Sequence, residues 1–216
     1  RSTPLYSSAA SDVYKRQYGH PSKEMTMVGI TGTNGKTTTA SLIAAMLKAA
    51  GKKAAQIGTI GTVAEGHPQV KTLTTPDPVA LHKVLFDLRQ DGFTHVVMEA
   101  SSHAIDQSRV ADVDFNYAVF TNLSMDHLDY HVTMDNYFQA KLKLFTALPS
   151  SARAILNMEG KYGQAIADNC TVPIMAIALS ETGDVFFKDY KISLLGIHGT
   201  IPVSYTHLTL PTNREV

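Results

Sequence analysis

The stretch DHLDYH, Asp126 to His131, puts the carboxylates of Asp126 and Asp129 and the imidazoles of His127 and His131 within six residues. Shortly afterwards comes Lys141, in MDNYFQAKLKLF. On a helix over 135–148, Tyr137, Lys141, Leu144 and Leu148 form one stripe at spacings of four, three and four, with Phe138, Leu142 and Phe145 beside it. Lys141 therefore projects from an apolar face, whereas Lys143 lies with Gln139 toward water. A buried lysine loses ammonium solvation, its pKa falls, and the neutral amine becomes nucleophilic. Such an amine captures carbon dioxide as a carbamate, which turns a cation into an anionic oxygen ligand near His127. The helix pattern alone favours a snorkelling lysine, its stem on the core and its head in water. Asp126, Asp129 and His131 also fit helix-start or hydrogen-bonding roles, and His103 and His127 fit hydrogen-bonded core histidines.

A second group sits upstream. VGITGTNGKTTT, Val28 to Thr39, runs from an apolar strand through Gly32 and Gly35 to Lys36 and Thr37. Glycines let backbone amides turn inward around a polyphosphate, the following helix start adds its positive dipole end, and Lys36 adds a point charge. The Thr37 hydroxyl is placed to reach a magnesium ion. The generic form G-x-x-x-x-G-K-[ST] asks for glycine where this chain has Ile30. In a parallel sheet, ligands collect at the carboxyl ends of strands. Glu99, closing HVVME, is therefore the candidate metal carboxylate, with capping of the next segment through the SSH amides as its bland alternative. Arg109 is able to grip a carboxylate or phosphate bidentately, or to pair with Asp112 or Asp114.

The elements that would hold these groups alternate. Strands are predicted at 26–31, 54–60, 94–100, 117–123, 153–158 and 173–179. Helices are predicted at 37–50, with Leu42, Ile43, Met46 and Leu47 on one face and Gly51 as a stop, then at 78–91, 135–148 and 161–168. Leu81, Val84, Leu85 and Leu88 mark the inner face of the helix that starts at Pro78. This alternation predicts an α/β fold, a mostly parallel sheet with helices on both faces, of P-loop type. After Gly183 the pattern becomes strand-rich.

Bulk properties narrow the rest. The 216 residues carry 19 basic and 19 acidic side chains. With no basic excess, nucleic-acid or membrane binding has no electrostatic support. The single cysteine, Cys170, fits a reducing compartment, and no apolar run reaches spanning length, so a cytoplasmic protein is expected. Residues 1–17 and 204–216 show no sustained period and are expected to be non-native or disordered ends around a unit spanning 18–203.

VGITGTNGKTT resembles the signature of the Mur ligases and the folylpolyglutamate synthases. TLTTPDP (72–78), MEASSHAIDQSRV (98–110) and FTNLSMDHLDYH (120–131) resemble the Mur ligase branch that makes UDP-N-acetylmuramoyl-tripeptide, MurE. The resemblance covers roughly residues 25–200 and implies an incomplete central ATP-binding domain of a three-domain ligase. Such an enzyme adds L-lysine or meso-diaminopimelate to UDP-N-acetylmuramoyl-L-alanyl-D-glutamate through an acyl phosphate, and is expected to be monomeric at full length. It implies ATP contacts at Gly32, Thr33, Asn34, Gly35, Lys36, Thr37 and Thr38, and substrate contacts at Thr74, Thr75, Ser101, Gln107 and Arg109. It implies magnesium ligands at Thr37, Glu99, His127 and a carbamylated Lys141, and catalytic roles for Lys36, His127 and Lys141. The alternatives are another Mur-type ligase, a folylpolyglutamate synthase, or a noncatalytic P-loop module. A guanine-reading N-K-x-D motif, which a switch GTPase would carry, is absent from the sequence.

Overall fold

The computed structural model describes residues 13, 15–70, 73–193, 196–203 and 206–209. Its centre is a sheet in the order β3-β2-β4-β1-β5-β6-β7-β8. The strands are β1 (Thr26–Thr31), β2 (Ala54–Gly58), β3 (Gly61–Val63), β4 (His95–Glu99), β5 (Tyr117–Phe120), β6 (Arg153–Asn157), β7 (Ile174–Ala178) and β8 (Val185–Phe186). All neighbours run parallel except β3, which returns antiparallel to β2. The connecting helices are α1 (Lys36–Ala49), α2 (Pro78–Gln90), α3 (Ser102–Asp106), α4 (Leu128–His131), α5 (Met134–Thr146) and α6 (Lys161–Ala167).

The period-2 alternation of the central strands divides the core between two faces. Met27, Val96, Met98, Ala118 and Phe120 point to one face and pack with Leu81, Leu85 and Leu88 of α2 and Phe138, Leu142 and Phe145 of α5. Val28, Ile30, Val97 and Val119 point to the other face and meet Ala40 and Ala44 of α1. Buried strands covered on both sides need continuous apolar runs, and β1 and β4 have them. Gly29 has a packing reason: a Cβ there would lie 2.7 Å from the Phe115 ring.

The helix boundaries follow local chemistry. Asp77 caps α2 by accepting from Val79 N and Ala80 N at 3.1 and 3.0 Å, with Pro78 in the first turn. Thr133 caps α5 by accepting from Asn136 N at 3.1 Å. Gly51, at φ 74°, closes α1 through its N–H to Lys48 O.

The expected inner face of α1 is corrected. Leu42 and Met46 are 59% and 70% exposed, while Ala40 and Ala44 are buried. The alanine stripe lets the helix lie close on the sheet, and Ile43 and Leu47 pack at its margin. The strand-rich tail is present as a separate antiparallel sheet, β11-β10-β9, with β9 at Lys188–Ser193, β10 at Gly196–Val203 and β11 at Thr206–Thr209. Most of the two expected patternless ends falls outside the described residues. Within them, residues 13 and 15–17 are helical, and Thr206–Thr209 pairs with β10.

Candidate nucleotide and metal site

β1 delivers the Gly32–Gly35 loop to the carboxyl end of the sheet. Gly32, at φ 150°, and Gly35, at φ 84°, take backbone conformations that side chains disfavour. A Cβ on Gly32 would also collide with Thr121 Oγ1. Ile30, at the position where the generic motif has glycine, is a fully buried β1 residue. The departure from the motif is therefore a packing choice within β1, two residues before Gly32.

The segment after β5 clamps the loop. Thr33 N donates to Asn122 O and Asn34 N to Asn122 Oδ1, both at 2.9 Å. Asn122 Nδ2 and Thr121 Oγ1 donate back to Asn34 O at 3.1 and 2.7 Å, and Ser124 N donates to Thr33 Oγ1 at 3.0 Å. The sequence reading assigned no role to Thr121, Asn122 or Ser124. Their position just past the end of a central strand was the available signal.

Lys36 Nζ donates to Gly32 O at 2.9 Å and Thr33 O at 2.8 Å, so its ammonium spans its own loop. Burial lowers its pKa, against the opposing charges of Glu99 and Asp126. Lys141 Nζ donates to the same Gly32 carbonyl at 2.9 Å. Two side-chain cations therefore reach the loop. Lys141 is 1% exposed, which rules out the snorkelling alternative. Burial first, and then the neighbouring charge of Lys36, lower its pKa to about 7, while Asp126 acts in the opposite sense. Lys143, as expected, is exposed, and it pairs with Asp106 at 2.7 Å.

Glu99 is fully buried at the end of β4. Its Oε1 accepts from Thr59 N at 2.9 Å, and its Oε2 from Thr37 Oγ1 at 3.0 Å and Thr59 Oγ1 at 3.1 Å. The capping alternative fails: Ser101, not Glu99, caps α3 by accepting from Ala104 N. Gly58 makes room for this carboxylate, since a Cβ there would meet it. Thr59 is a second contact the sequence reading missed, although it follows β2 at the same edge of the sheet.

The expected substrate residues gather beside this pair. Lys36, Thr59, Leu73, Thr74, Thr75, Ser101, His103, Arg109 and His127 line one cleft of about 340 Å³. Thr75 is buried and ties the floor together, donating to Glu99 O at 2.8 Å and accepting from Ser101 N at 3.1 Å. Thr74 Oγ1 lies 3.3 Å from Thr59 Oγ1, within hydrogen-bond reach. Arg109 donates to Thr75 O at 3.2 Å and to Gln107 Oε1 at 2.5 Å, and its Nε is buried without a hydrogen-bond partner among the described residues. Among the described residues it makes no ion pair with Asp112 or Asp114; Asp114 pairs with Lys15 instead. Gln107 stands one step back, orienting Arg109 and donating to Tyr130 OH at 3.2 Å. Thr38 is exposed on the first turn of α1.

His127 has a left-handed backbone, φ 52°, and a half-exposed ring 5.0 Å from that of His103 and 5.9 Å from that of Tyr137. Lys141 Nζ lies 4.5 Å from the centre of the same Tyr137 ring. The two elements that carry the imidazole and the lysine thus converge on one aromatic side chain. His131 is buried and hydrogen-bonded to Ser102 Oγ at 2.9 Å, the bland reading of that residue. Among the described residues, no group of three or more His, Cys, Asp or Glu side chains is arranged to hold a metal ion.

A strand, glycine loop and helix beside a buried carboxylate on the neighbouring strand define a P-loop-type nucleotide-binding α/β domain. A family model described as the Mur ligase middle domain matches residues 30–202, and the chain belongs to the Mur ligase family. It is similar to a UDP-N-acetylmuramoyl-L-alanyl-D-glutamate–2,6-diaminopimelate ligase from Pseudomonas putida, with 48% identity over 88% of this chain and 40% of that protein. A ligase of the same name from Syntrophomonas wolfei is 40% identical over 90% of this chain and 40% of its own length. A solved structure of a ligase of that name superposes with a TM-score of 0.79 at 28% identity, over 93% of this chain and 43% of that one. A folylpolyglutamate synthase from Mycobacterium tuberculosis aligns with a TM-score of 0.69 at 15% identity, over 88% of this chain and 50% of that one, a likeness of fold alone. The chain spans about 40% of the length of the curated relatives it matches. Among the described residues, no helix is long and apolar enough to cross a membrane.

Proposed function

We propose that this chain is the nucleotide-binding part of an ATP-dependent amide ligase that joins a diamino acid to UDP-N-acetylmuramoyl-L-alanyl-D-glutamate. The observation that carries the reading is the cleft itself. Lys36 of the phosphate loop shares it with Thr74, Thr75, Ser101 and Arg109, so a nucleotide and a second anionic substrate would meet there. The names of the similar ligases support diaminopimelate over lysine as the incoming amino acid.

The chemistry needs two anions, an ATP γ-phosphate and a substrate carboxylate, to approach within bonding distance. The loop amides and Lys36 neutralise the phosphates. Arg109, which lines the same cleft, holds the carboxylate-bearing substrate from the other side. The carboxylate oxygen attacks the γ-phosphorus, ADP leaves, and the amine of the diamino acid then attacks the acyl phosphate and expels inorganic phosphate.

Magnesium fits the residues present. It is a hard cation that takes oxygen ligands, and Thr37 Oγ1 and Glu99 Oε2 lie 3.0 Å apart beside the loop. When bound, it would neutralise charge on the phosphates. A carbamylated Lys141 and His127 would supply further ligands. The Lys141 amine nitrogen adds to the carbon of carbon dioxide and loses a proton to solvent, leaving a carbamate. The lowered Lys141 pKa supports this reading, because it makes the neutral amine available near neutral pH.

The test is to titrate the chain with ATP in the presence and absence of magnesium, and then with the muramoyl dipeptide nucleotide. Tighter ATP binding with magnesium and saturable binding of the muramoyl nucleotide are expected. Binding of a folate in place of the muramoyl nucleotide would overturn the substrate assignment.

A further inference from the structure

Tyr137 is fully buried at the first turn of α5, yet it touches three separate parts of the site. Its hydroxyl shares a hydrogen bond with Thr33 Oγ1 at 3.2 Å, and Thr33 is the loop residue whose carbonyl Lys36 holds. Its ring face lies 4.5 Å from Lys141 Nζ. The His131 ring also stacks on it at 5.0 Å, 29° from parallel, and His131 is itself fixed by Ser102 Oγ at 2.9 Å.

Two features make this more than core packing. The phenol hydroxyl ends on a loop side chain that also accepts from Ser124 N and donates to Ser124 O. Thr33 is thereby fixed from two elements, α5 and the segment after β5. Second, a ring face attracts a cation and shields it from water, and among the described residues Lys141 hydrogen-bonds to the Gly32 carbonyl and to no carboxylate. Remove the ring and the amine keeps one directional contact. Remove only the hydroxyl and the amine keeps both while the loop loses a tether.

We infer that Tyr137 is a positioning residue with two separable roles, its hydroxyl setting Thr33 of the phosphate loop and its ring setting Lys141. The inference rests on the ligase reading for what Lys141 does, but not for the loop. Tyr137→Phe should affect nucleotide and spare the lysine, whereas Tyr137→Leu should affect both.

The test uses the intact chain and two measurements, the dissociation constant for MgATP and the extent of Lys141 modification by an amine-reactive reagent at one fixed pH, read by mass spectrometry. Tyr137→Phe is expected to weaken MgATP about three- to tenfold, the range for one hydrogen bond, with Lys141 as protected as in the parent. Tyr137→Leu is expected to weaken MgATP at least as much and to expose Lys141 to modification. Thr33→Val removes the same contact from the loop side, and in that background Tyr137→Phe should have no further effect on MgATP affinity. Parent-like MgATP affinity in Tyr137→Phe, or an additive loss in the double variant, would overturn the loop role. Equal Lys141 modification in Tyr137→Phe and Tyr137→Leu would overturn the ring role. If Tyr137→Leu does not fold, the Thr33→Val cycle decides the loop role, and protection of Lys141 in Tyr137→Phe but not in Tyr137→Met decides the ring role. Incubation with ¹³C-bicarbonate separates the underlying reading: no carbamate signal in the parent would remove the carbamate from the ligase account and leave the Tyr137 result standing.

Discussion

Thr37 and Glu99 meet across the gap between α1 and β4, the threonine hydroxyl donating to Glu99 Oε2 at 3.0 Å. Neither position is free to vary without disturbing the other, because Glu99 is fully buried and also accepts from Thr59 N and Thr59 Oγ1. Glu99→Gln keeps the shape and removes the charge. It is expected to abolish the gain in ATP affinity that magnesium gives, while leaving metal-free ATP binding within about twofold. Calorimetric titration with and without magnesium checks this.

Lys36 holds two loop carbonyls in this structure and is the charge that would move onto the phosphates. Lys36→Ala is expected to weaken ATP by at least about tenfold, in the range of a lost charge-assisted contact. Equal titration curves for parent and variant would remove the phosphate-loop assignment.

Arg109 lines the cleft, its guanidinium held by Thr75 O and Gln107 Oε1. In a full-length ligase carrying this domain, Arg109→Ala is expected to raise the KM for the muramoyl nucleotide about tenfold or more and the KM for ATP less than about twofold. Steady-state kinetics with each substrate varied in turn gives the answer.

Much of this was legible in the sequence, and the misses have physical causes. The period-2 strands and the stripe of Tyr137, Lys141, Leu144 and Leu148 were readable because burial enforces periodicity; all four are buried. The inner face of α1 was misread because large apolar residues attract attention, whereas the sheet admits only the alanines Ala40 and Ala44 there. Thr59, Thr121, Asn122 and Ser124 were missed because their roles depend on strand order, which places the ends of β2 and β5 on either side of the β4–β1 pair. Local sequence carries no record of that order. The contact of Lys141 with Gly32 is of the same kind, since it joins residues 109 positions apart.

The lowered pKa of Lys141 has a stability consequence. The unfolded chain protonates this lysine near its ordinary value of 10.5, while the folded chain does so near 7. Between those values the unfolded state binds more protons, so this residue's contribution to stability rises with pH, by up to about 1.4 kcal/mol per pH unit, and the penalty is fully present below about pH 7. Lys141→Met is expected to lose that rise, flattening the pH dependence of chemical denaturation between pH 7 and 9 relative to the parent. In a full-length ligase, Lys141→Ala is expected to be nearly inactive and partly rescued by acetate. Lys141→Arg should stay inactive, because a guanidinium keeps its charge and forms no carbamate.

The central claim is tested most directly by replacing the corresponding segment of the Pseudomonas putida ligase, 48% identical, with this chain and measuring ADP release. The account expects release that requires ATP, magnesium, UDP-N-acetylmuramoyl-L-alanyl-D-glutamate and diaminopimelate together, and that vanishes with Lys36→Ala. A folded chimera that releases ADP equally with and without the muramoyl nucleotide, or that binds ATP and releases none with every substrate present, would contradict it.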